Sequence, residues 1–289
     1  MRIINFGSIN LDFVYQVGHF VQPGETINAV SFERFAGGKG FNQSIALARA
    51  GAKAIHVGQV GEDGRRLVEQ LREEGVDTSR IEIGDAPTGH AIIQVDSGGE
   101  NSIIVYGGAN RELSGSHLDE SCSTLEKDDW VLIQNEINGI EKIIRVASER
   151  GSRIIFNPSP MEDDVLALPL ERVDMFLINR SEGEVLSGES TPTRIVEELK
   201  SRFPEATLIL TLGAEGVLYS TPKEEIRVDA LAAEVVDTTG AGDTFAGYFL
   251  ASLQQGSAPE EALSRACRAA ALCISRPGAA ASIPYQTEI

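Results

Sequence analysis

The sequence predicts an α/β protein: a three-layer α/β/α arrangement around a mostly parallel central sheet, with a few strands set outside it as a flap. Three observations lead there. From residue 130 to residue 211, short apolar runs alternate with helix-period segments, the pattern of parallel strands joined by crossover helices. Each of those runs ends in a polar cluster, as the ligand-binding edge of an open parallel sheet does. Two strand-rich stretches earlier in the chain have no helix between or after their strands, which sets them outside that sheet. With 289 residues and 42% apolar content, the chain is large enough for one domain with a full core. Residues 1–289 are read as one domain, with the flap at 11–35 and 89–106 within it.

The elements follow in order. Ile3 to Ile9 is a short apolar run and reads as a buried strand, with Asn10 and Asp12 at its C-terminal end. Both are common turn formers, and both are also suited to a site at a strand end. Phe13 to Phe20 and Ile27 to Phe35 read as two flap strands joined at Pro23-Gly24. Ala36 to Gln43 is a glycine-rich entry to a helix over Ser44 to Ala50, stopped at Gly51. The entry lacks the Gly-x-x-x-x-Gly-Lys-Ser/Thr order of a Walker A loop, so its glycines serve either close approach of a ligand or a tight loop with a solvated Lys39. Ala54 to Val60 is a strand, and Asp63 to Glu74 a helix. His90 to Val95 and Ser102 to Tyr106 form a hairpin about a Gly98-Gly99 turn, placed to pair with the flap strands.

Strands then fall at 130–134, 153–156, 175–178 and 207–211, with helices at 140–150, 181–187 and 193–203 between them. One or two strands are expected over Glu224 to Val236, and an Ala-rich core helix over Pro259 to Ile274. The polar clusters at the strand ends are Asn135-Glu136, Asn157-Pro158, Asn179 with Glu182, and Thr211 with Gly213. Any one is ordinary turn chemistry; together they point to a cleft.

Charge narrows the partners. Net charge is −18 and the pI near 4.6, which argues against nucleic acid and anionic membrane as partners. No apolar run approaches the about 20 residues of a membrane span, and no N-terminal signal pattern appears. Three cysteines without metal-site spacing fit a reduced, cytoplasmic protein.

The chemistry concentrates in Val236 to Phe245, which contains Gly240-Ala241-Gly242-Asp243 ahead of the apolar helix Phe245 to Leu253. Glycines there let the backbone approach a ligand, and N–H groups at a helix start favour an anion. Asp243 reads either as a helix-start residue or as a general base beside that anion hole. Asn10, Asp12, Lys39, Asn42 and Glu136 suit a polyhydroxylated ligand. Asn179, Glu182, Thr211, Gly213 and Gly216 suit phosphates and a magnesium ion. This is the layout of a phosphoryl transfer to an alcohol.

Gly7-Ser8-Ile9-Asn10-Leu11-Asp12, Gly37-Gly38-Lys39-Gly40-Phe41-Asn42-Gln43, Asn179-x-x-Glu182 and Asp237 to Phe245 together resemble the ribokinase (PfkB-type) family of sugar kinases, over nearly the whole chain. The resemblance implies the ribokinase-like fold and an ATP-dependent kinase that phosphorylates a primary hydroxyl of a sugar, with D-ribose the first expectation. It implies that Asn10, Asp12, Gly38, Lys39, Asn42 and Glu136 bind sugar, that Asp243 is the base, and that Gly240, Ala241 and Gly242 form the anion hole. Asn179, Thr211, Gly213, Gly216, Gly242 and Cys267 would contact the nucleotide, and Glu182 would act on magnesium through water. A potassium ion would lie among Asp237, Thr239, Cys273, Arg276, Gly278 and Ser282. By the same resemblance the flap at 11–35 and 89–106 would be a small β-sheet lid that covers the sugar and pairs two subunits into a homodimer. Pro277 and the alanines at 279–281 depart from the family's cation loop, and Arg111 is placed to change what the pocket admits. Other acceptors (a hexose, a sugar phosphate, a nucleoside) and a non-catalytic sensor on the same fold are the alternatives. A dinucleotide-binding dehydrogenase is disfavoured, because the first strand lacks a following Gly-x-Gly-x-x-Gly and helix.

Overall fold

The computed structural model describes residues 2–289. Thirteen strands and eight α-helices are defined among them. The strands are β1 (Ile3–Phe6), β2 (Asn10–Gln16), β3 (Ser31–Gly37), β4 (Ala54–Val60), β5 (Asp77–Ile83), β6 (Gly89–Val95), β7 (Asn101–Tyr106), β8 (Trp130–Gln134), β9 (Arg153–Asn157), β10 (Met175–Asn179), β11 (Thr207–Thr211), β12 (Val217–Ser220) and β13 (Glu225–Val228). The helices are α1 (Lys39–Arg49), α2 (Arg65–Glu73), α3 (Gly115–Ser123), α4 (Ile140–Arg150), α5 (Arg180–Ser187), α6 (Pro192–Arg202), α7 (Ala241–Gln254) and α8 (Pro259–Ile274).

Nine strands make the central sheet, in the order β13-β12-β11-β10-β9-β8-β1-β4-β5. The pairs from β11 through β5 are parallel, and only β12 is reversed, antiparallel to both β11 and β13. Alternate residues of each strand feed two separate cores, as a period of two requires. Ile3, Leu132, Ile155, Leu177 and Ile209 pack with α1, α2, α7 and α8. Ile4, Val131, Ile154, Phe176 and Leu208 pack with α3, α4, α5 and α6. Helices thus cover both faces, which gives three layers.

The second sheet has the order β3-β2-β6-β7. The hairpin β6–β7 joins the flap through β2, which runs parallel to β6 and antiparallel to β3. Phe13, Phe32, Tyr15, His90 and Tyr106 form ring contacts across it.

Several boundaries differ from the sequence reading. Helix α1 begins at Lys39, five residues before Ser44, so the glycine-rich stretch is largely its first turns. The glycine at 40 is there for packing: a Cβ on it would lie 2.5 Å from the backbone of Gly7. Strand β1 ends at Phe6, and Asn10 already belongs to the second sheet. Strands β5 and β12 and helix α3 were not expected. Strand β5 is an edge strand with a polar, partly exposed pattern, and α3 is a short polar helix started by Ser114. Conversely, no regular strand continues past Val228 toward Val236.

Candidate active site

The strand ends and α7 enclose a cavity of about 600 Å³, with Lys39, Asn179, Glu182, Thr211, Gly240 and Asp243 in its wall. A second, more apolar cavity of about 640 Å³ adjoins it and shares Thr211, Gly213, Thr238, Ala241 and Gly242. Gly216 and Cys267 belong to this second cavity, beside Leu231, Val235, Ala270 and Ala271. Burial pushes the Cys267 thiol up to about 11, which keeps it neutral.

Helix α7 presents its first turn to the junction. Gly240 is its N-cap in a left-handed conformation, φ 77°, which a side chain would resist. Ala241 N–H turns back to Thr238 O at 3.3 Å and Thr244 N–H to Gly240 O at 2.8 Å. The N–H groups of Gly240, Gly242 and Asp243 have no acceptor among the described residues. Asp243 is 6% exposed, with Oδ2 accepting from Asn42 Nδ2 at 3.0 Å and Oδ1 from Gln43 Nε2 at 2.9 Å. Both amides come from α1, which crosses α7 where a Cβ on Gly247 would lie 2.8 Å from the backbone of Ala46 and Leu47.

The start of α1 gathers the other polar residues. Gly38 caps it at φ 92°, and a Cβ there would lie 3.1 Å from Asn10 N. Glu136 Oε2 accepts from Lys39 N–H at 2.9 Å and also from the Ser8 hydroxyl. Asn10 Oδ1 accepts from Asn110 Nδ2 at 2.7 Å, and Asn110 Oδ1 accepts from Ile9 N–H at 2.9 Å. Burial lowers the Lys39 ammonium pKa, but the carboxylates of Asp243, Glu136 and Glu182 outweigh this and leave it raised. Burial, and then the charge of Glu136, pushes the Asp12 carboxyl up to about 6. The structure therefore brings Asp12, Lys39, Asn42, Glu136 and Asp243 into one electrostatic cluster. None of Asn10, Asp12, Gly38, Asn42 or Glu136 lines either cavity; Asn10 and Asp12 belong to the second sheet, while Lys39 and Asp243 line the first cavity.

On the opposite side, Asn179 and Glu182 form a capping box at the start of α5. Asn179 donates to Glu182 Oε2 through its backbone at 3.0 Å and to Oε1 through its side chain at 2.8 Å. No cluster of three or more His, Cys, Asp or Glu side chains among the described residues is arranged to hold a metal. The remaining predicted residues meet at the loop that follows α8. Asp237 accepts from Thr239 N–H at 2.9 Å, Thr239 Oγ1 at 2.6 Å and Gly278 N–H at 2.9 Å. Cys273 Sγ lies 3.0 Å from Ser282 Oγ and 3.8 Å from Thr239 O. The Arg276 side chain turns away to Glu288 at 2.7 Å, so only its main chain is left to that loop.

Two readings change in detail. Arg111 is tied to the turn that carries Glu136: its guanidinium donates to Ile137 O at 3.1 Å and Asn135 O at 3.2 Å. Asn135 is bound to the chain at Ser159 and Pro160, so it is turn chemistry. Residues given no role from sequence also belong here: Ser8, Gln43, Asn110 and Gln134. Gln43 was visible beside Asn42, but a helix phase starting at Ser44 gave no direction for its side chain.

Residues 2–286 match the pfkB family of carbohydrate kinases. The chain is 34% identical to the ribokinase of Haemophilus influenzae, over 98% of this chain and 95% of that one. The ribokinase of Cryptococcus neoformans in complex with ADP superposes with a TM-score of 0.86 at 33% identity, covering 99% of this chain and 98% of that one. The Arabidopsis thaliana ribokinase complexed with ribose and ATP does so at 0.86 and 30%, covering 99% and 96%. The fold, the paired sheets and the full-length match agree: this chain is a member of the pfkB family of carbohydrate kinases, and a sugar kinase.

Proposed function

We propose that this protein transfers the γ-phosphoryl group of ATP to the primary hydroxyl of D-ribose, giving ribose 5-phosphate and ADP. One observation carries the reading: Asp243 lines the first cavity and belongs to the polar cluster around Lys39, next to unpaired N–H groups of its own helix. The ribose hydroxyl oxygen attacks the γ-phosphorus, Asp243 takes the hydroxyl proton, and the bond to the β-phosphate oxygen breaks. The amides of Gly240, Gly242 and Asp243 receive the oxygens of the migrating phosphoryl group, with Ala241 shaping the turn. Asn10, Asp12, Gly38, Lys39, Asn42 and Glu136 hold the sugar. Asn42 Oδ1 is buried without a partner among the described residues, which suits a sugar hydroxyl as donor. The nucleotide lies along Asn179, Thr211, Gly213 and Gly216, with its base in the apolar cavity near Cys267.

Metals enter in two places. Both Glu182 oxygens already accept from Asn179, so this carboxylate fits an outer role toward water rather than direct ligation. Magnesium, when bound to the phosphates, neutralises their charge. The loop of Asp237, Thr239, Cys273, Arg276, Gly278 and Ser282 offers hard oxygen atoms close to Gly240, whose added Cβ would lie 3.3 Å from Ala279 Cα. These donors suit a potassium ion that steadies the N-terminus of α7.

Strand β7 is exposed along its length, with Ile104 and Val105 each 63% exposed at the sheet edge. A homodimer through the lid would cover it, and Ile104→Asp should then give monomers in sedimentation velocity. All three cysteines are free and buried, which suits the cytoplasm and can be checked by cell fractionation.

The deciding experiment is a coupled ADP-release assay across ribose, 2-deoxyribose, fructose, sugar phosphates and nucleosides, with and without potassium. Ribose should give the highest kcat/KM. Asp243→Asn should lower kcat by about 10²- to 10⁴-fold while ribose still binds in calorimetry. Near-normal turnover in that variant removes Asp243 from the chemistry, and a better acceptor in the panel replaces ribose.

A further inference from the structure

Asp243 is supported from behind by a continuous buried chain of side chains. Gln43 Nε2 donates to Asp243 Oδ1 at 2.9 Å and to Asn157 Oδ1 at 3.0 Å. Gln134 Nε2 donates to Gln43 Oε1 at 2.7 Å and to Asn5 Oδ1 at 2.8 Å. Asn5 Nδ2 donates to Ser44 Oγ at 2.9 Å and to Gly40 O at 2.8 Å. Ser44 Oγ lies 2.8 Å from His56 Nδ1, and His56 Nε2 lies 3.1 Å from Gly7 O. Asn5, Gln43, Ser44, His56 and Gln134 are all 0% exposed.

The direction of this chain follows from its far end. A carbonyl only accepts, so His56 Nε2 carries the proton and Nδ1 accepts from the Ser44 hydroxyl. That hydroxyl then accepts from Asn5. Each of the three amides has both of its hydrogens committed. Were the Gln43 amide to turn over, its oxygen would face the Asp243 carboxylate and its nitrogen would face the Gln134 nitrogen. Both contacts are repulsive, so Gln134 fixes the sense of Gln43. Asp243 consequently meets donors alone from the protein interior.

We infer that Gln43 is a positioning residue for the transfer step: held in one orientation by Gln134, it fixes Asp243 Oδ1 with a donated hydrogen bond in the place where that carboxylate receives the hydroxyl proton. This rests on Asp243 being the base. The charged group that faces Asp243 is Lys39 of α1, and Glu136 and Glu182 act on that same ammonium. The neutral amides from α1 and β8 add no charge of their own, so a charge introduced at 43 has a direct effect.

The test is the pH dependence of kcat at saturating ribose and ATP, with the KM for ribose measured alongside. Gln43→Glu puts a second carboxylate against Asp243, where the two share a proton. Its acid limb should move up by about one pH unit or more. The KM for ribose should change by less than about threefold, because an effect confined to the chemical step leaves ground-state binding alone. Gln134→Met, one bond further back, should shift the limb the same way by less, and it carries the test if Gln43→Glu does not fold. A fall in kcat with the limb unmoved in both variants, at any cost in Tm, overturns the inference and leaves a merely structural role. An active Asp243→Asn would instead sink the underlying assignment, so the two failures are separable.

Discussion

Glu136 Oε2 accepts the backbone N–H of Lys39 at 2.9 Å, so one carboxylate both starts helix α1 and charges the cluster around Asp12. Removing it should therefore cost stability and sugar affinity together. Glu136→Ala loses a hydrogen bond to a charged acceptor, and the KM for ribose should rise about 10- to 100-fold with a lower Tm. Glu136→Gln keeps an acceptor for Lys39 and should recover most of the Tm but not the KM. Steady-state kinetics and thermal unfolding on both variants check this. An unchanged KM in Glu136→Ala would take the residue out of the sugar site.

Two buried groups make stability depend on pH in opposite senses. His56 is held down to about 4 by burial, against the Gly7 carbonyl that favours its protonated form. The unfolded chain takes up that proton near 6.5, so it binds more protons than the folded protein between about 4 and 6.5. Stability from His56 is therefore full above pH 6.5 and falls as pH drops toward 4, by about 3 kcal/mol in all. Asp12 works the other way. Its folded value near 6 lies above the unfolded 3.8, so its contribution weakens as pH rises from 4 to 6. Asp12→Asn should accordingly raise the Tm at pH 8 and leave it unchanged near pH 4, while weakening ribose binding. Calorimetric scans of the variant and the parent at the two pH values decide it; an equal change at both removes the titration from the account.

Two glycines of α7 should behave differently when given a methyl group. At Gly247 a Cβ would press on the backbone of Ala46 and Leu47, neither of which can rotate away. Gly247→Ala should cost about 1–3 kcal/mol and separate α7 from α1, lowering kcat as Asp243 leaves Asn42 and Gln43. At Gly242 nothing lies within 4 Å of the added atom. Gly242→Ala should thus keep or gain up to about 1 kcal/mol of stability, since alanine suits a helix better. The methyl group would still stand on the proposed path of the phosphate, so on that reading the KM for ATP should rise. A stable Gly242→Ala variant with parental kinetics would show that no ligand approaches that backbone.

The fold class was legible because it depends on local periodicities. Apolar runs at β8, β9, β10 and β11, separated by helix-period segments, can bury their surface only as a sheet covered on both faces. The position of Gly240, Gly242 and Asp243 at a helix start was legible, because glycines and an acidic residue ahead of an apolar run mark a helix N-terminus. The strands β5 and β12 were not, since a polar edge strand and a four-residue strand have too little apolar pattern to stand above turn chemistry. Nor was the true start of α1: glycine at 40 signals a break in an isolated helix, and only contact with Gly7 and Ser8 explains why it is tolerated. Which side chains meet was decided by the tertiary structure alone. Gln43 and Asp243 are 200 residues apart, Ser8 and Glu136 128 apart. Such pairings arise from how α1 crosses α7 and how β8 lies beside β1, and no spacing along the chain encodes a crossing angle.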